Sequence, residues 1–297
     1  MTKKSLSAQR KIKKVYLVYK RSIYQKFFIE EKNVKIQQLL KDKHFSVESL
    51  IDIHHVHDRS VQLIQKELQR LKIDTQTESR HDLSHFNEID LIITVGGDGT
   101  FLRTAHYVDD ELILPINSDP KQSVGALCTI SAKHFRKKMH ELLLGRSHIK
   151  KIPLMQIRRN GKKIASEAVN DVLFTNTSPA ATSRYYLQHG DVIEEHKSSG
   201  VWIATATGST AAISAAGGRP MPPDDTRLQF ATREPYQGTF NPYRLIHGYV
   251  EKGDKLTIVN KMIQAKIFID GPTNSFDLDF GDKIEFSLSK RQLNVVG

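Results

Sequence analysis

A glycine-rich turn between an apolar segment and a helix constrains this chain more than any other stretch. Residues 90–95 are mostly apolar and β-branched, which predicts a buried strand, and residues 101–105 resemble the first turns of a helix. Residues 96–100 between them read Gly-Gly-Asp-Gly-Thr. Three glycines within four positions predict backbone with positive φ and a close approach to a ligand. The sequence therefore predicts an open α/β sheet with a functional loop at the carboxyl end of this strand.

Asp98 is the unusual member of the turn. The amides at the start of a helix and the helix dipole both favour an anion such as a polyphosphate, which a carboxylate would repel. We therefore interpret Asp98 as a group that acts on a substrate, most simply by accepting a proton from a hydroxyl. The alternative is that Asp98 or Thr100 only caps the helix and the glycines only form a tight turn. The turn alone leaves both interpretations open.

Length, charge and cysteine content exclude several classes of protein. A chain of 297 residues suits two domains, and its net charge of +11 favours an anionic partner. Because few aromatic residues lie among the basic ones, we expect them to steer phosphorylated small molecules and not to bind nucleic acid or a membrane. Cys128 is the single cysteine, which excludes a disulfide framework and a cysteine-based metal site.

The compartment follows from the same composition. No apolar run approaches the length of about 20 residues that a spanning helix needs. The basic residues 1–14 lack the apolar core of a secretory signal. The sequence thus predicts a cytoplasmic protein.

The first half of the chain alternates strand and helix patterns. Strands are predicted at residues 15–19, 46–51, 90–95 and 112–116, the last of which ends next to Asn117, Ser118 and Asp119. Apolar residues are assigned to the inner sides of helices in two groups: Ile23, Phe27, Val34 and Leu39, then Val61, Ile64, Leu68 and Leu71. The cluster of Asp52, His54, His55, His57 and Asp58 is predicted to lie in a loop, and we assign no metal to it. This half, residues 1–147, is predicted to be a Rossmann-like N-terminal domain.

The second half, residues 148–297, is predicted to be a C-terminal β-sandwich domain whose last segment either stays there or returns to the first domain. An Asn160-Gly161 pair predicts a hairpin with a type I′ turn. Short strands are predicted at residues 171–175, 183–189, 201–206, 226–231, 256–260, 263–270 and 283–288. Residues 194–196 are interpreted as an exposed hairpin end, and residues 210–216 as the one helix of this half.

Two further motifs carry polar groups in places that suit a ligand. Residues 205–218 combine hydroxyls at Thr207, Ser209 and Thr210 with a run of small residues, which would let a flat ring or a sugar approach the backbone. The alternative for this stretch is a small-residue helix packed against a sheet. Asn170 and Asp171 interrupt an apolar strand, where polar side chains are costly unless they are paired with a loop or a ligand.

Together these residues resemble the NAD kinase family. The resemblance rests on residues 96–100, on Asn170-Asp171, on residues 207–211 with Gly217-Gly218, and on Asp270-Gly271, in the family's order over about the last two thirds of the chain. Residues 117–120 and 197–200 are similar to the mitochondrial branch of that family. The Gly-Gly-Asp-Gly motif alone is shared with lipid kinases of the diacylglycerol type and with phosphofructokinases, so residues 207–211 are the specific part.

The resemblance implies a reaction and its participants. Asp98 would deprotonate the adenosine ribose 2′-hydroxyl of NAD as it attacks the terminal phosphate of ATP, with Mg²⁺ accompanying the ATP, to give NADP. Asp270-Gly271 would be structural. Family members tend to be oligomers, which implies a homodimer or homotetramer. The implied NAD- and ATP-binding residues are Gly97, Gly99, Thr100, Asn170, Asp171, Lys197, Ser199, Thr207, Thr210, Ala211, Ala212 and Ala215.

Three of these positions depart from the family pattern. Ala212 stands where a Tyr is common, Ala215 where a Ser is frequent, and Ser199 where many members carry an Asp before Gly. The departures imply a weaker hold on NAD or a wider choice of substrate. Two alternatives to an NAD kinase remain: a lipid kinase of the diacylglycerol type, disfavoured by the residues after Asp270-Gly271, and a non-catalytic NAD-binding or nucleic-acid-binding protein.

Overall fold

A computed structural model describes residues 12–123, 125–236 and 242–297. The chain forms two compact units, one of residues up to Lys150 together with Leu293–Gly297 and one of Lys151–Gln292. The first eleven residues of the basic N-terminal segment lie outside the described residues.

The first unit is a parallel sheet with helices. Its strands are β1 (Lys14–Tyr19), β2 (Asp74–Ser79), β3 (Leu91–Gly96), β4 (Leu112–Asn117) and the short β5 (Ile130–Ser131). Its helices are α1 (Val34–Lys41), α2 (Leu50–Arg70), α3 (Asp98–Ala105) and α4 (Phe135–Leu143), with a π-helix at Tyr24–Glu30 and a 3-10 turn at Ala132–His134. The strand order is β4-β3-β1-β2, all parallel, and Asn294 and Val295 pair with the free side of β4.

The core of the first unit explains why these segments form these elements. β3 and β4 are buried along their whole length, as the nearly continuous apolar composition of a central parallel strand requires. One face of the sheet packs against Val61, Ile64 and Leu68 of α2 and against α4. α3 contacts β3 and β1. The glycine turn joins β3 to α3, so the predicted strand-turn-helix unit is confirmed.

The second unit consists mainly of strands: β9, β10 and β15 alternate between more and less buried residues, and β12 is buried along its whole length. They are β6 (Ile149–Arg159), β7 (Lys162–Lys163), β8 (Asp171–Asn176), β9 (Ser183–His189), β10 (Val192–Ser198), β11 (Val201–Ala204), β12 (Leu228–Thr232), β13 (His247–Val250), β14 (Leu256–Asn260), β15 (Ala265–Ile269), β16 (Ser275–Leu278) and β17 (Lys283–Val296). β6 starts at the end of the first unit, and the last residues of β17 belong to that unit. The 3-10 turn Thr207–Thr210 and the four-residue helix α5 (Ala212–Ala215) complete this part of the chain.

Two sheets of the second unit enclose one core. One sheet has the antiparallel order β13-β12-β11-β8-β15-β16, and the other contains β10, β9, β14 and the start of β17. Buried residues from both sheets pack together, among them Phe174 and Phe230 from the first and Tyr185, Ile258 and Phe286 from the second. This is the predicted β-sandwich. The fold class, an α/β unit followed by an all-β unit, is confirmed.

Several predictions for the first unit were wrong. Residues 46–51 are not a strand, because α2 begins at Leu50 and continues for 21 residues. His54, His55 and His57 therefore lie on a helix and not in a loop. The helices at residues 24–41 exist, but Ile23 and Val34 are exposed and no residue of these helices is fully buried. Short, partly polar helices at the edge of a domain cover little apolar surface, so their apolar residues do not mark an inner face.

Other predictions for the second unit also need correction. Residues 194–196 lie within β10, and His196 is completely buried. Only Ala212–Ala215 is α-helical in the predicted helix 210–216, because Ala211 has a non-helical backbone and Gly217 follows with positive φ. β10, β13 and β16 were missed. The hairpin is confirmed, since Asn160 and Gly161 have φ of 50° and 78°, as a type I′ turn requires.

Candidate functional site

The glycine turn of the first unit is shaped by close packing. None of Gly96, Gly97 and Gly99 has positive φ, so that part of the prediction was wrong. A Cβ at Gly96 would lie 2.3 Å from Thr100 Oγ1, and one at Gly97 would lie 2.8 Å from Ser123 Oγ. Larger side chains are excluded because the start of α3 and the loop after β4 press against the turn.

The loop after β4 meets the turn at the carboxyl edge of the sheet, as predicted. Ser118 N donates to Gly96 O at 3.0 Å, and Asn117 pairs with Gly96 in the parallel ladder. Asn117 in turn orders its own loop, since its Nδ2 donates to Ser123 O at 3.1 Å and its Oδ1 accepts from Asp119 N at 3.0 Å. The predicted Asn117, Ser118 and Asp119 are thus buried supports of the turn.

Asp98 is the first residue of α3 and its side chain is held by a distant loop. Oδ2 accepts from Ala126 N at 2.9 Å, and Oδ1 accepts from Leu127 N at 2.9 Å and from Cys128 N at 3.2 Å. The thiol of Cys128 is a further hydrogen-bond partner of this carboxylate, and Oδ2 accepts only one of the three amide bonds. The residue is half-buried. The carboxylate is therefore oriented by its neighbours and still able to accept a proton.

The thiol beside this carboxylate is inert. Burial, and then the charge of Asp98, raise the pKa of Cys128 well above its usual range. A protonated, buried thiol is a poor nucleophile and a poor metal ligand. Cys128 therefore belongs to the support of Asp98.

The other members of the turn divide between surface and interior. Gly99 is exposed and Gly97 is half-buried. Thr100 is completely buried, and its Oγ1 accepts a hydrogen bond from Arg80 Nη1 at 3.3 Å. Gly97, Asp98 and Gly99 are thus the predicted residues of this turn that a ligand can reach.

In the second unit, Asn170 and Asp171 are brought together with residues 205–210. Thr205 N donates to Asn170 O at 2.9 Å, and Thr205 Oγ1 donates to Val169 O at 2.5 Å. A Cβ at Gly208 would lie 2.1 Å from Asn170 O, so only glycine fits there. The two motifs that the sequence singled out separately therefore form one local arrangement.

Asp270 fixes the backbone of the same segment. Its carboxylate accepts from Val169 N at 2.8 Å, from Asn170 N at 2.7 Å and from Asp171 N at 3.1 Å. Burial raises the pKa of Asp270 to about 6, against the effect of these three amides. The sequence identified Asp270 as a structural residue but gave no sign of its partner.

Asn170 and Asp171 each carry a polar group in a costly environment. Asn170 Oδ1 is buried and has no hydrogen-bond partner among the described residues. Burial and then the charge of Asp270 raise the pKa of Asp171 to about 7. A buried acceptor and a carboxyl group that titrates near neutrality are both features that a bound polar ligand would relieve.

The remaining predicted residues of the second unit fall into two places. Thr210, Ala212 and Ala215 are exposed, and Thr207 and Ala211 are half-buried, next to the Asn170 arrangement in the chain. Lys197 and Ser199 line a different cleft of about 680 Å³, together with Arg184, Thr182, Glu234 and Tyr236.

The strand register separates these two places. Asp171 pairs with Ala204, whereas Phe174 pairs with Val201, the residue that follows the Ser199-Gly200 turn. Ser199 O accepts from Thr175 Oγ1 at 3.2 Å. Asn170 and Ser199 therefore lie at opposite ends of the β8–β11 pair, and the second unit does not bring all of the predicted residues to one place.

Sequence reasoning missed a group of cations around the glycine turn. Lys20 follows β1, Arg80 follows β2, and Arg103 lies on α3. A basic residue directly after a predicted strand was the available signal for Lys20. Arg80 could not be placed, because β2 has the polar sequence Asp-Thr-Gln-Thr-Glu-Ser and was not recognised as a strand.

Two features are absent from the described residues. Across residues 12–123, 125–236 and 242–297, no group of three or more His, Cys, Asp or Glu side chains is arranged to hold a metal ion. In the same part of the chain, no helix is both long and apolar enough to span a membrane.

Comparisons with known proteins agree with this geometry. The family model of the ATP-NAD kinase N-terminal domain matches residues 16–147. A probable NADH kinase of Oryza sativa subsp. japonica is 31% identical over 270 residues, which cover 83% of this chain and 83% of that protein. An NADH kinase of Arabidopsis thaliana is 33% identical over 264 residues, which cover 81% and 83%.

Two solved structures have a similar fold. An NAD kinase from Archaeoglobus fulgidus in complex with ATP matches with a TM-score of 0.68 over 96% of this chain and 93% of that one. A yeast NADH kinase complexed with NADH matches with a TM-score of 0.68 over 96% and 83%. Both are 20% identical to this chain, and at that identity the likeness shows the fold alone.

Proposed function

The chain belongs to the NAD kinase family, and on that premise we propose that it transfers the terminal phosphate of ATP to the 2′-hydroxyl of the adenosine ribose of NAD, giving NADP. The observation that carries the proposal is the carboxylate of Asp98, oriented by three backbone amides at the start of α3. Phosphoryl transfer requires positioning and charge neutralisation more than covalent chemistry, so one base beside an anion-binding turn is sufficient protein machinery.

Each group has a role in this reaction. Asp98 accepts the proton of the attacking hydroxyl on a carboxylate oxygen, as the bond between that hydroxyl and the terminal phosphorus forms and the bond to the leaving diphosphate breaks. The exposed Gly99 leaves the start of α3 open to a phosphate, and Gly97 lets the loop after β4 pack closely against the turn. Mg²⁺ enters as part of the MgATP substrate and neutralises charge on its phosphates.

The second unit supplies the dinucleotide-binding residues in this proposal. Asn170 and Asp171 hold the adenosine, because the buried Oδ1 of Asn170 lacks a donor and the carboxyl group of Asp171 has a raised pKa, and a ribose and an adenine amine present suitable donors to both. Thr207, Thr210, Ala211, Ala212 and Ala215 form the small-residue surface on which the adenine ring lies. Lys197 and Ser199 act from their separate cleft on another part of the substrate.

A coupled assay for NADP tests the proposal directly. The protein is incubated with NAD or NADH as acceptor and with MgATP or polyphosphate as donor, and a diacylglycerol arm tests the lipid-kinase alternative. We expect NADP from NAD and MgATP. Binding of NAD without any turnover would favour the non-catalytic alternative and overturn the proposal.

The proposal includes an assembly and a compartment. We propose a cytoplasmic homodimer or homotetramer, which rests on the tendency of the family to form oligomers and on the single, buried Cys128. Light scattering coupled to size-exclusion chromatography measures the first, and a monomeric mass at assay concentration would contradict it. Cell fractionation measures the second.

A further inference from the structure

Three basic residues stand around the glycine turn of the first unit. The register of the parallel strands pairs Tyr19 with Ser79 on one side and with Val95 on the other, so Lys20 lies between Arg80 and Gly96 along the carboxyl edge of the sheet. The ladder continues through them, since Arg80 N donates to Tyr19 O at 2.8 Å. Lys20 and Arg80 are therefore fixed in position by the backbone of the sheet.

The guanidinium of Arg80 reaches the first turn of α3. Its Nη1 donates to Thr100 Oγ1 at 3.3 Å and lies 3.5 Å from the position of a Cβ on Gly99. Arg103 approaches from the helix, and its Nε donates to Arg80 O at 2.7 Å. The guanidinium of Arg80 thus lies beside the exposed Gly99, and the guanidinium of Arg103 lies beside the backbone of Arg80.

The charges of these residues are not neutralised by the protein. Lys20, Arg80 and Arg103 are each half-buried, and in the part of the chain that the structure describes none of them forms an ion pair. Burial and then the charge of Arg80 lower the pKa of Lys20, although Asp119 acts in the opposite direction. Burial and then Arg103 lower the pKa of Arg80.

Several other arginines of the chain do have an acidic partner, although the half-buried Arg233 forms no ion pair within the described residues. Arg70 is paired with Glu67 at 2.6 Å, Arg159 with Asp282 at 2.5 Å and Arg227 with Asp225 at 2.7 Å. Neighbouring cations that are partly removed from water and lack acidic partners cost free energy in the empty protein. An anion bound between them would remove that cost.

We propose that Lys20, Arg80 and Arg103 bind the phosphate chain of the phosphoryl donor beside the glycine turn. This inference rests on the proposed function and deepens it, because it assigns the donor site to named cations of the first unit. Guanidinium groups bind phosphate oxygens with two parallel hydrogen bonds, and Lys acts as a point charge. Held in a partly desolvated place, they also stabilise the charge that spreads over the transferred phosphate.

Variants that remove one charge test the assignment. Lys20→Met and Arg80→Met remove the charge, and Arg80→Lys keeps the charge but loses the paired donors of the guanidinium group. Lys66→Met and Arg146→Met are controls that remove a charge at exposed positions. Binding of MgATP, of inorganic tripolyphosphate and of NAD is measured by calorimetry, and KM is measured for ATP and for NAD. Loss of a charged hydrogen bond predicts about 10- to 100-fold weaker binding of MgATP and tripolyphosphate, with NAD unaffected. Arg80→Lys should lie between the wild type and Arg80→Met.

Thermal unfolding separates a binding role from a structural one. In the ligand-free protein, Lys20→Met should leave Tm unchanged or raise it, because it relieves repulsion with Arg80, whereas a structural cation would lower Tm when removed. If Arg80→Met destabilises the turn through Thr100, Lys20→Met alone decides the question. Unchanged affinity of Lys20→Met for both MgATP and tripolyphosphate, or a loss confined to NAD, would overturn the inference.

The failure of this inference can be told from failure of the proposed function. A wild-type protein that binds tripolyphosphate but makes no NADP would overturn the proposed function, while weaker binding in the variants would still support the phosphate site. A wild-type protein that makes NADP at a rate that none of the variants alters would overturn only the phosphate site.

Discussion

Two carboxylates of this molecule, Asp98 in the first unit and Asp270 in the second, are held in nearly the same way. Each accepts three hydrogen bonds from three consecutive backbone amides, residues 126–128 for Asp98 and residues 169–171 for Asp270. Their surroundings differ. Asp98 begins a helix next to an exposed glycine, whereas burial raises the pKa of Asp270 to about 6 beside a second acid, Asp171.

Hydrogen-bond count alone therefore does not distinguish Asp98, the proposed base, from Asp270, which fixes the backbone of residues 169–171. The amides around Asp98 belong to Ala126, which is exposed, and to Leu127 and Cys128. The amides around Asp270 form the segment that carries Asn170, with its unpaired side-chain oxygen. Asp98 is thus positioned by its loop, and Asp270 positions a loop.

The largest expected effect is on the reaction itself. Asp98→Asn should lower kcat by about 10²- to 10⁴-fold, because an amide cannot accept the proton of the attacking hydroxyl. Binding of NAD, measured by calorimetry, should survive. The matched variant Asp270→Asn should retain most of kcat and change KM for NAD instead. Equal losses of kcat in the two variants would remove the distinction between these carboxylates.

A smaller effect is expected on stability, where loss of the Asp270 carboxylate should cost more than loss of the Asp98 carboxylate. Asp270→Ala leaves three amides of a packed segment without acceptors, which should lower the free energy of unfolding by about 1–3 kcal/mol. Asp98→Ala should cost less, because water can reach the amide of exposed Ala126. Urea denaturation of both variants measures the difference. A greater loss of unfolding free energy in Asp98→Ala would mean that residues 126–128 depend on their carboxylate more than residues 169–171 do.

The raised pKa values of Asp171 and Asp270 predict a pH dependence in the second unit. Their folded-state values of about 7 and about 6 lie above the ordinary value of 3.8, so the folded state binds protons more tightly than the unfolded chain. The contribution of this pair to stability is therefore complete below about pH 4 and is lost as the pH rises through about 6 to 7.

Asp171→Asn tests that dependence. The free energy of unfolding of the variant, relative to the wild type, should increase by about 1–2 kcal/mol between pH 4 and pH 8. Urea denaturation at several pH values measures it, with Asp98→Asn as the control because Asp98 has no acidic side chain among its hydrogen-bond partners. A constant difference across this range would show that Asp171 is ionised in the folded state at acidic pH.

The smallest expected effect concerns a departure from the family pattern. Ala212 is exposed, so Ala212→Tyr can be accommodated without repacking. If this surface receives the adenine ring, stacking should lower KM for NAD by about 2- to 10-fold. The control is Lys252→Tyr, which places the same ring at an exposed position elsewhere in the second unit and should leave KM as it is. An unchanged KM in Ala212→Tyr would place the adenine elsewhere.

The sequence predicts the central elements well for an identifiable reason. β3 and β4 are apolar along their length, and the glycines after β3 mark the turn, so composition alone locates them. Within the described residues, β2 is an edge strand that pairs with β1 alone, and its sequence is polar and half exposed, so the same reasoning missed it. Segment 46–51 contains β-branched residues, which is why a strand was predicted there. In the structure Leu50 is instead the first residue of α2, which extends to Arg70.

The sequence predicted the motifs of the candidate site but not the hydrogen-bond partners of their side chains. Asp98 and Asn170 were recognised from their local sequence, and Asp270 from the resemblance to the family. Their contacts join residues separated by about 28 to 100 positions along the chain, and a single sequence gives no information on such pairs. Whether Asp98 acts as the base remains a prediction that the proposed assays test.

Residues 293–297 have a consequence for how the molecule is made. They belong to the first unit, where Asn294 and Val295 pair with β4, although all of Lys151–Gln292 must leave the ribosome before them. Until then one side of β4 exposes part of its backbone, which is the kind of edge that recruits other strands. A nascent chain of this protein should therefore depend on chaperones for the seconds that its second unit takes to emerge, and trimming these few residues should harm yield more than activity per folded molecule.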